Sequence, residues 1–193
     1  MKLTKADVAT RQLDTAIRLF FNAGDVVSVH TLVAASATVF ADILDKMGET
    51  SWRQQMIAQH SGYLSKKQVI SALRKAQNFF KHADRAYEKS IEFLETENDS
   101  LILIATLEAG LLLQVNNLNR SEKPKPSTPM SVFQLWYIAT KPDGFYVPEE
   151  LVAATKDVFP NINKSPRFEQ LSIGASFLKE REILSRRRPL RVL

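Results

Sequence analysis

Arg74, Asn78, Lys81, His82 and Arg85 all lie within VISALRKAQNFFKHADR, Val69 to Arg85. On a helix they gather along one side, while Val69, Ala72, Leu73, Ala76, Phe80 and Ala83 make an apolar face on the other. An arginine can neutralise a phosphate, an imidazole can act as general base or acid, and an amide can orient either. Metal-independent cleavage of RNA requires this set: a base for the 2′-hydroxyl and a cation for the charge on the phosphorane. His82, Asn78 and Arg74 are therefore candidate catalytic residues, with Lys81 and Arg85 as candidate substrate-binding residues. A solvated face is the plainer alternative, because cations opposite an apolar stripe are expected of any amphipathic helix. His82 also suits a helix C-terminus, where the dipole favours a cation and Asp84 offers a tie.

Glu108 joins the catalytic candidates. It interrupts Leu101 to Leu113, which is otherwise nearly all apolar, and a buried carboxyl needs a partner. Arg18, Arg74, His30 and His82 are the candidates. Glu108 then either orients a catalytic His or Arg, or belongs to a structural ion pair. His30 stands near the start of a helix, facing a close neighbour. It either hydrogen-bonds that neighbour or adds to a substrate-binding polar pocket. His60, beside Ser61-Gly62, reads as surface. Three scattered histidines and no cysteine give no metal-ligand spacing, so no metal and no cofactor are expected. Glycine-rich phosphate loops, GxSxG and dinucleotide fingerprints are absent from the sequence.

These residues must be positioned by helices. Thr4 with Asp7 forms a capping-box signature before Ala9, Leu13, Ala16, Ile17 and Phe20, and Asp14 and Arg18 make an i,i+4 pair. Gly24 suits a left-handed helix end. Asp25 or Ser28 opens a second helix, closed by Gly48, with a core stripe from Val29 to Met47. Its small Ala34, Ala37 and Ala41 admit a close neighbour. Ser51 to Gln59 reads as a short amphipathic piece. Ser65 with Gln68 caps a third helix, which carries the candidate site to Arg85. Residues 84–97 read as irregular, with an extended piece near Ile91 to Leu94. A fourth, central helix runs from Asn98 or Asp99 to about Leu118. Helices from Pro129, Pro148 and Arg167 complete the chain. The expectation is an all-α protein: a helical bundle of four principal helices with a smaller helical C-terminal portion. Its divisions are 1–118 (bundle core), 119–129 (Pro-rich loop), 130–185 (C-terminal helices packing on the bundle) and 186–193 (basic tail).

Composition sets wider bounds. The chain has 193 residues, 45% hydrophobic and 24% charged, which excludes wholesale disorder and permits a sizeable core without disulfides. Of the net charge of +5, the last fifteen residues hold six cations and two carboxylates, a net of +4, so the body is nearly neutral. The amino terminus lacks the apolar run of a secretory signal, and no uninterrupted apolar stretch reaches membrane-spanning length. Lack of cysteine suits a reducing cytoplasm.

Two stretches carry a resemblance. QLDTAIRLFFNAGDVVSVHTLVAAS (Gln12 to Ser36) and QNFFKHADR (Gln77 to Arg85) resemble a family of small uncharacterised bacterial proteins with an NFFKHAD motif. More distantly, the chain resembles the HEPN superfamily of all-α domains. That resemblance implies either a metal-independent ribonuclease or a non-catalytic partner module. The nuclease pattern there is an arginine, four to six residues, then a histidine, with a polar residue often after the arginine. Here seven residues separate Arg74 from His82, and Lys75 follows the arginine. The expected function is binding or metal-independent cleavage of RNA. The alternative is an interaction or regulatory module that binds a partner protein through the bundle or the basic tail. The expected partners are thus RNA or a protein, with a homodimer possible and no membrane.

Overall fold

The computed structural model describes residues 1–82, 87–115, 125–142 and 148–187. Among them it is all-α, with no strand, and Ile91 to Leu94 belongs to neither helix nor strand, within the irregular stretch expected before α6. α1 (Lys5–Phe21) starts at Thr4, whose side chain and backbone exchange hydrogen bonds with Asp7 as the capping box requires. α2 (Val26–Met47) is capped by Asp25 and closed by Gly48 at φ 80°. Between them the left-handed residue is Ala23, at φ 50°, and not Gly24. Gly24 matters for closeness instead: a Cβ there would stand 3.0 Å from the Leu19 carbonyl oxygen.

α3 (Trp52–His60), α4 (Lys66–Leu73) and α5 (Lys75–Lys81) follow. The expected third principal helix is therefore two short ones, broken at Arg74. The halves serve different neighbours, since α4 packs on α3 and α5 on α2. α6 (Glu97–Val115) is the expected central helix; its continuation toward Leu118 falls outside the described residues. α7 (Thr128–Thr140), α8 (Glu149–Val158), a 3-10 turn at Ile162–Lys164 and α9 (Arg167–Arg187) complete the order. Most of the 119–129 loop and most of the basic tail also lie outside the described residues.

The main core belongs to α1, α2, α6, α7 and α9, with Phe159 and Ile162 added from the α8 side. Among the described residues, none from 52–81 joins that cluster, so α3 to α5 form an arm alongside α2. One continuous cluster spans both the first 118 residues and 130–185. Its densest part is aromatic. Phe20, Phe21, Phe133 and Trp136 lie 5.3–6.2 Å apart between ring centroids, mostly edge to face.

α9 reaches these rings because residue 174 is glycine. A Cβ there would meet Phe21 Cε1 at 2.3 Å and Trp136 Cδ1 at 3.1 Å. Alanine in an open helix interior would add about 1 kcal/mol of stability. Here Gly174→Ala is expected to lose about 2 kcal/mol, because rings on two other helices must give way. Urea denaturation followed by circular dichroism reads the sign directly. A gain in stability would mean that α9 does not approach the rings this closely.

α2 and α6 are long and apolar enough to cross a membrane by length and composition, although neither holds an uninterrupted apolar run of that length. They pack on each other and carry buried polar groups, among them His30, Ser36, Asn98, Asp99, Thr106 and Glu108. A core helix passes the same test.

Candidate functional site

The break at Arg74 decides how the candidate residues lie. Ser65 and Gln68 form the expected capping box and start α4. Val69 is buried beneath α4, and Ala76 and Gln77 beneath α5. Arg74 bridges the two helices at φ −104°, ψ 11°. The Asn78 N–H donates to the Arg74 carbonyl and the His82 N–H to the Asn78 carbonyl, so these residues keep their one-sided register. Arg74 and Asn78 are half-buried, whereas Lys81 and His82 are exposed. Eight residues of rise separate Arg74 from His82 by about 12 Å along the axis. Arg85 and Asp84 lie outside the described residues.

Glu108 is 4% exposed, and its partners are not those expected from the sequence. Its Oε1 accepts the Trp52 backbone N–H at 3.2 Å. Trp52 is the first residue of α3, so Glu108 satisfies one of the amides that a helix start leaves without an internal partner. Arg18 instead binds Glu182 at 2.8 Å, and His30 binds Asn98. The cation nearest in effect is Arg53, but Asp42 and Asp45 claim it, Asp42 at 2.7 Å. Ser51 caps α3 and donates to Asp45 Oδ1 at 2.6 Å, completing the cluster. Burial therefore dominates at Glu108. It pushes the carboxyl up to about 7 against the Trp52 hydrogen bond and Arg53, with Asp45 and Asp42 adding to the rise.

His30 occupies a different place. Its Nδ1 lies 3.1 Å from Asn98 Oδ1, while the Asn98 amide donates to the Val26 carbonyl. Asn98 thus spends its donor elsewhere, and His30 Nδ1 carries the proton. The ring meets Phe80 and Phe93 edge to face at 5.5 and 5.0 Å. Burial lowers its pKa despite Asn98 and the more distant Glu97. Asn98 and Glu108 are ten residues apart on α6, about 15 Å along the axis. His30 and Glu108 therefore sit toward opposite ends of the α2–α6 contact and do not share a pocket.

Glu108 and Arg74 do come together. They line one recess of about 70 Å³ with Trp52, Arg53, Gln77 and the small face of α2. Arg53 and Arg74 also line a wider cleft of about 520 Å³ between α3 and α4, with Lys66, Asp45, Gln54 and Ile70. Neither Arg74 nor Lys66 has a carboxylate partner among the described residues. Sequence reasoning did not single out Lys66 or Arg53. Their only signal is proximity to Arg74, which the α3–α4 packing creates.

It also missed the most buried charge. Asp99 is 1% exposed and accepts from both terminal guanidinium nitrogens of Arg167, at 3.0 and 2.5 Å, with Lys141 Nζ at 3.2 Å. Arg167 stacks over Phe20 and Trp136 at 5.1 and 5.3 Å. Nothing in the sequence links residues 68 positions apart. Among the described residues no group of three or more His, Asp and Glu side chains is placed to hold a metal.

Fold and site together define an all-α bundle with a cationic cleft on its side arm. No protein-family model, curated protein or solved structure matches the chain.

Proposed function

We propose that this chain is a HEPN-like helical protein that binds RNA through the α3–α4 cleft and does not cut it. The observation that carries the reading is the pair of cations without carboxylate partners among the described residues, Arg74 and Lys66, lining one cleft of about 520 Å³. Arg53 stands beside them and is already neutralised by Asp42 and Asp45. Such cations hold phosphates without reading bases, so the binding is expected to be salt-sensitive and tolerant of sequence. The register of Arg74, Asn78 and Lys81 extends the polar track along α5. The seven residues between Arg74 and His82, more than the four to six of the HEPN nuclease pattern, favour binding over cleavage. A cytoplasmic location goes with this reading.

The test is fluorescence anisotropy on short single-stranded RNAs of differing sequence. Arg74→Ala and Lys66→Ala should each weaken all of them alike and lower the salt slope by about 1. RNA incubated with the protein in chelator should stay intact. Cleavage that His82→Ala abolishes would overturn the non-catalytic part.

A second reading, docking of a protein partner, is favoured by another surface. A groove of about 750 Å³ runs between α7 and α9, lined by Val132, Leu135, Phe177 and Leu184 with Lys125 and Arg181 on its edges. RNA affinity left unchanged in the Arg74→Ala/Lys66→Ala double variant would reject the cleft as the RNA site, and no RNA binding by the wild type would reject the RNA reading and leave this one.

A further inference from the structure

We propose that the α3–α4 cleft and the recess behind it form a proton-coupled phosphate site, in which Arg74 and Lys66 hold the phosphate group and Glu108 is protonated when it binds. This rests on the reading of the cleft as an anion site and adds its regulation.

The geometry is a cleft with a titratable floor. Arg74 belongs to both cavities: it lines the outer cleft with Lys66 and the inner recess with Glu108. An ionised Glu108 would draw the Arg74 guanidinium inward and repel an anion in the cleft. A neutral Glu108 does neither. The charged groups that face Glu108 are few. α2 presents Asp42 and Asp45 and α3 presents Arg53, while Arg74, at the α4–α5 junction, lines the same recess. Asp42, Asp45 and Arg53 are tied to one another by ion pairs, which leaves Arg74 as the cation able to answer to Glu108 or to a ligand. Because the carboxyl already stands at about 7, a ligand that requires the protonated form takes up a proton as it binds near neutral pH. Binding a phosphate and binding a proton are then mutually reinforcing, as linkage requires.

The ligand chemistry is a phosphate group, either a phosphodiester of a nucleic-acid backbone or a free phosphate. Two probes separate these sources, and neither titrates near neutrality: sulfate for the free dianion and a short single-stranded RNA for the backbone. Calorimetry at pH 6, 7 and 8, in buffers of differing ionisation enthalpy, reads affinity and proton uptake together. A site that requires protonated Glu108 weakens by about tenfold from pH 6 to pH 8. Histidines titrate in the same range, so Glu108→Gln is the deciding variant. It should bind at the pH 6 strength throughout, without proton uptake. Arg74→Gln should lose at least about tenfold at every pH, as expected for a direct phosphate contact.

The site is refuted if sulfate and RNA both fail to bind at pH 6, or if Glu108→Gln keeps the wild-type pH slope. Proton-coupled binding of sulfate with no binding of RNA upholds the site for a free phosphate and removes the RNA reading. Arg74-dependent RNA binding with no pH slope and no response to Glu108→Gln upholds the RNA reading and removes this inference.

Discussion

Asp99→Ala is expected to cost about 3 kcal/mol and to lower the urea midpoint accordingly. Removing one partner of a buried ion pair typically costs about 3–5 kcal/mol, because the other charge is left without compensation. The lower end applies here for a stated reason. Asp99 is 1% exposed, but the Arg167 and Lys141 side chains are 25% and 38% exposed, so water can partly resolvate the cations left behind. Arg167 does not leave easily, because Phe20 and Trp136 hold its guanidinium from the ring side. Its Nε already lacks a partner in the folded state. Asp99→Asn should cost less, since an amide keeps one acceptor for Arg167. Pairing Asp99→Leu with Arg167→Met should recover much of the loss, since an apolar pair of similar size is often as stable as a buried salt bridge. A cost below about 1 kcal/mol for Asp99→Ala would place the cluster among surface ion pairs. It would also end the view that Asp99 anchors α9 to the start of α6.

The second large effect is on stability as a function of pH. Folded Glu108 holds its proton up to about 7, whereas the unfolded carboxyl releases it near 4.5. Between those values the folded state binds a proton that the unfolded state has lost. Glu108 therefore contributes stability that is fully present below about 4.5 and is lost as pH rises through about 7. The gap corresponds to about 3 kcal/mol across the window. His30 works the other way, since burial lowers its pKa and stability is lost as pH falls through it. The two are separated by difference. Unfolding free energies of wild type and Glu108→Gln, measured from pH 4.5 to 8, share every other titration. Wild-type stability minus that of the variant should fall by about 3 kcal/mol over that range. A flat difference would mean that water reaches Glu108 and that the Trp52 amide is its main role.

This prediction and the phosphate site draw on the same carboxyl, but they read different things. A flat stability difference with a pH-coupled ligand would mean that the ligand itself dehydrates the recess on binding. A steep stability difference with no ligand at either pH would make Glu108 a structural acid. Its geometry would then be explained by α3 alone, because it satisfies an amide in that helix's first turn.

Much of the architecture was legible locally. Thr4 with Asp7, Ser65 with Gln68, Asp25 and Gly48 announced helix ends through contacts within a few residues, and the structure uses each of them. The apolar periods of α1 and α2 marked faces that are largely buried, whereas α6, apolar nearly all round in sequence, buries Asn98, Asp99, Thr106 and Glu108 and leaves Leu107 exposed. The break at Arg74 was not legible, because Val69, Ala76 and Ala83 keep perfect helical spacing across it. α4 and α5 separate because one answers to α3 and the other to α2. The importance of α7 and α9 was understated for a similar reason. Gly174 reads as a weak spot in a helix until the rings of Phe21 and Trp136 are seen against it.

For the site, the sequence alone determined that Arg74, Asn78, Lys81 and His82 share a side and that Glu108 is an ionisable group in an apolar helix. Both follow from periodicity, which is a property of neighbours along the chain. Only the tertiary structure decided the pairings: Glu108 with the Trp52 amide, His30 with Asn98, Phe80 and Phe93, and Arg74 with Lys66 across the cleft. Charges and polar groups choose partners by distance and burial. Those are set by how whole helices pack, and residues 56 or 68 positions apart carry no local record of having met.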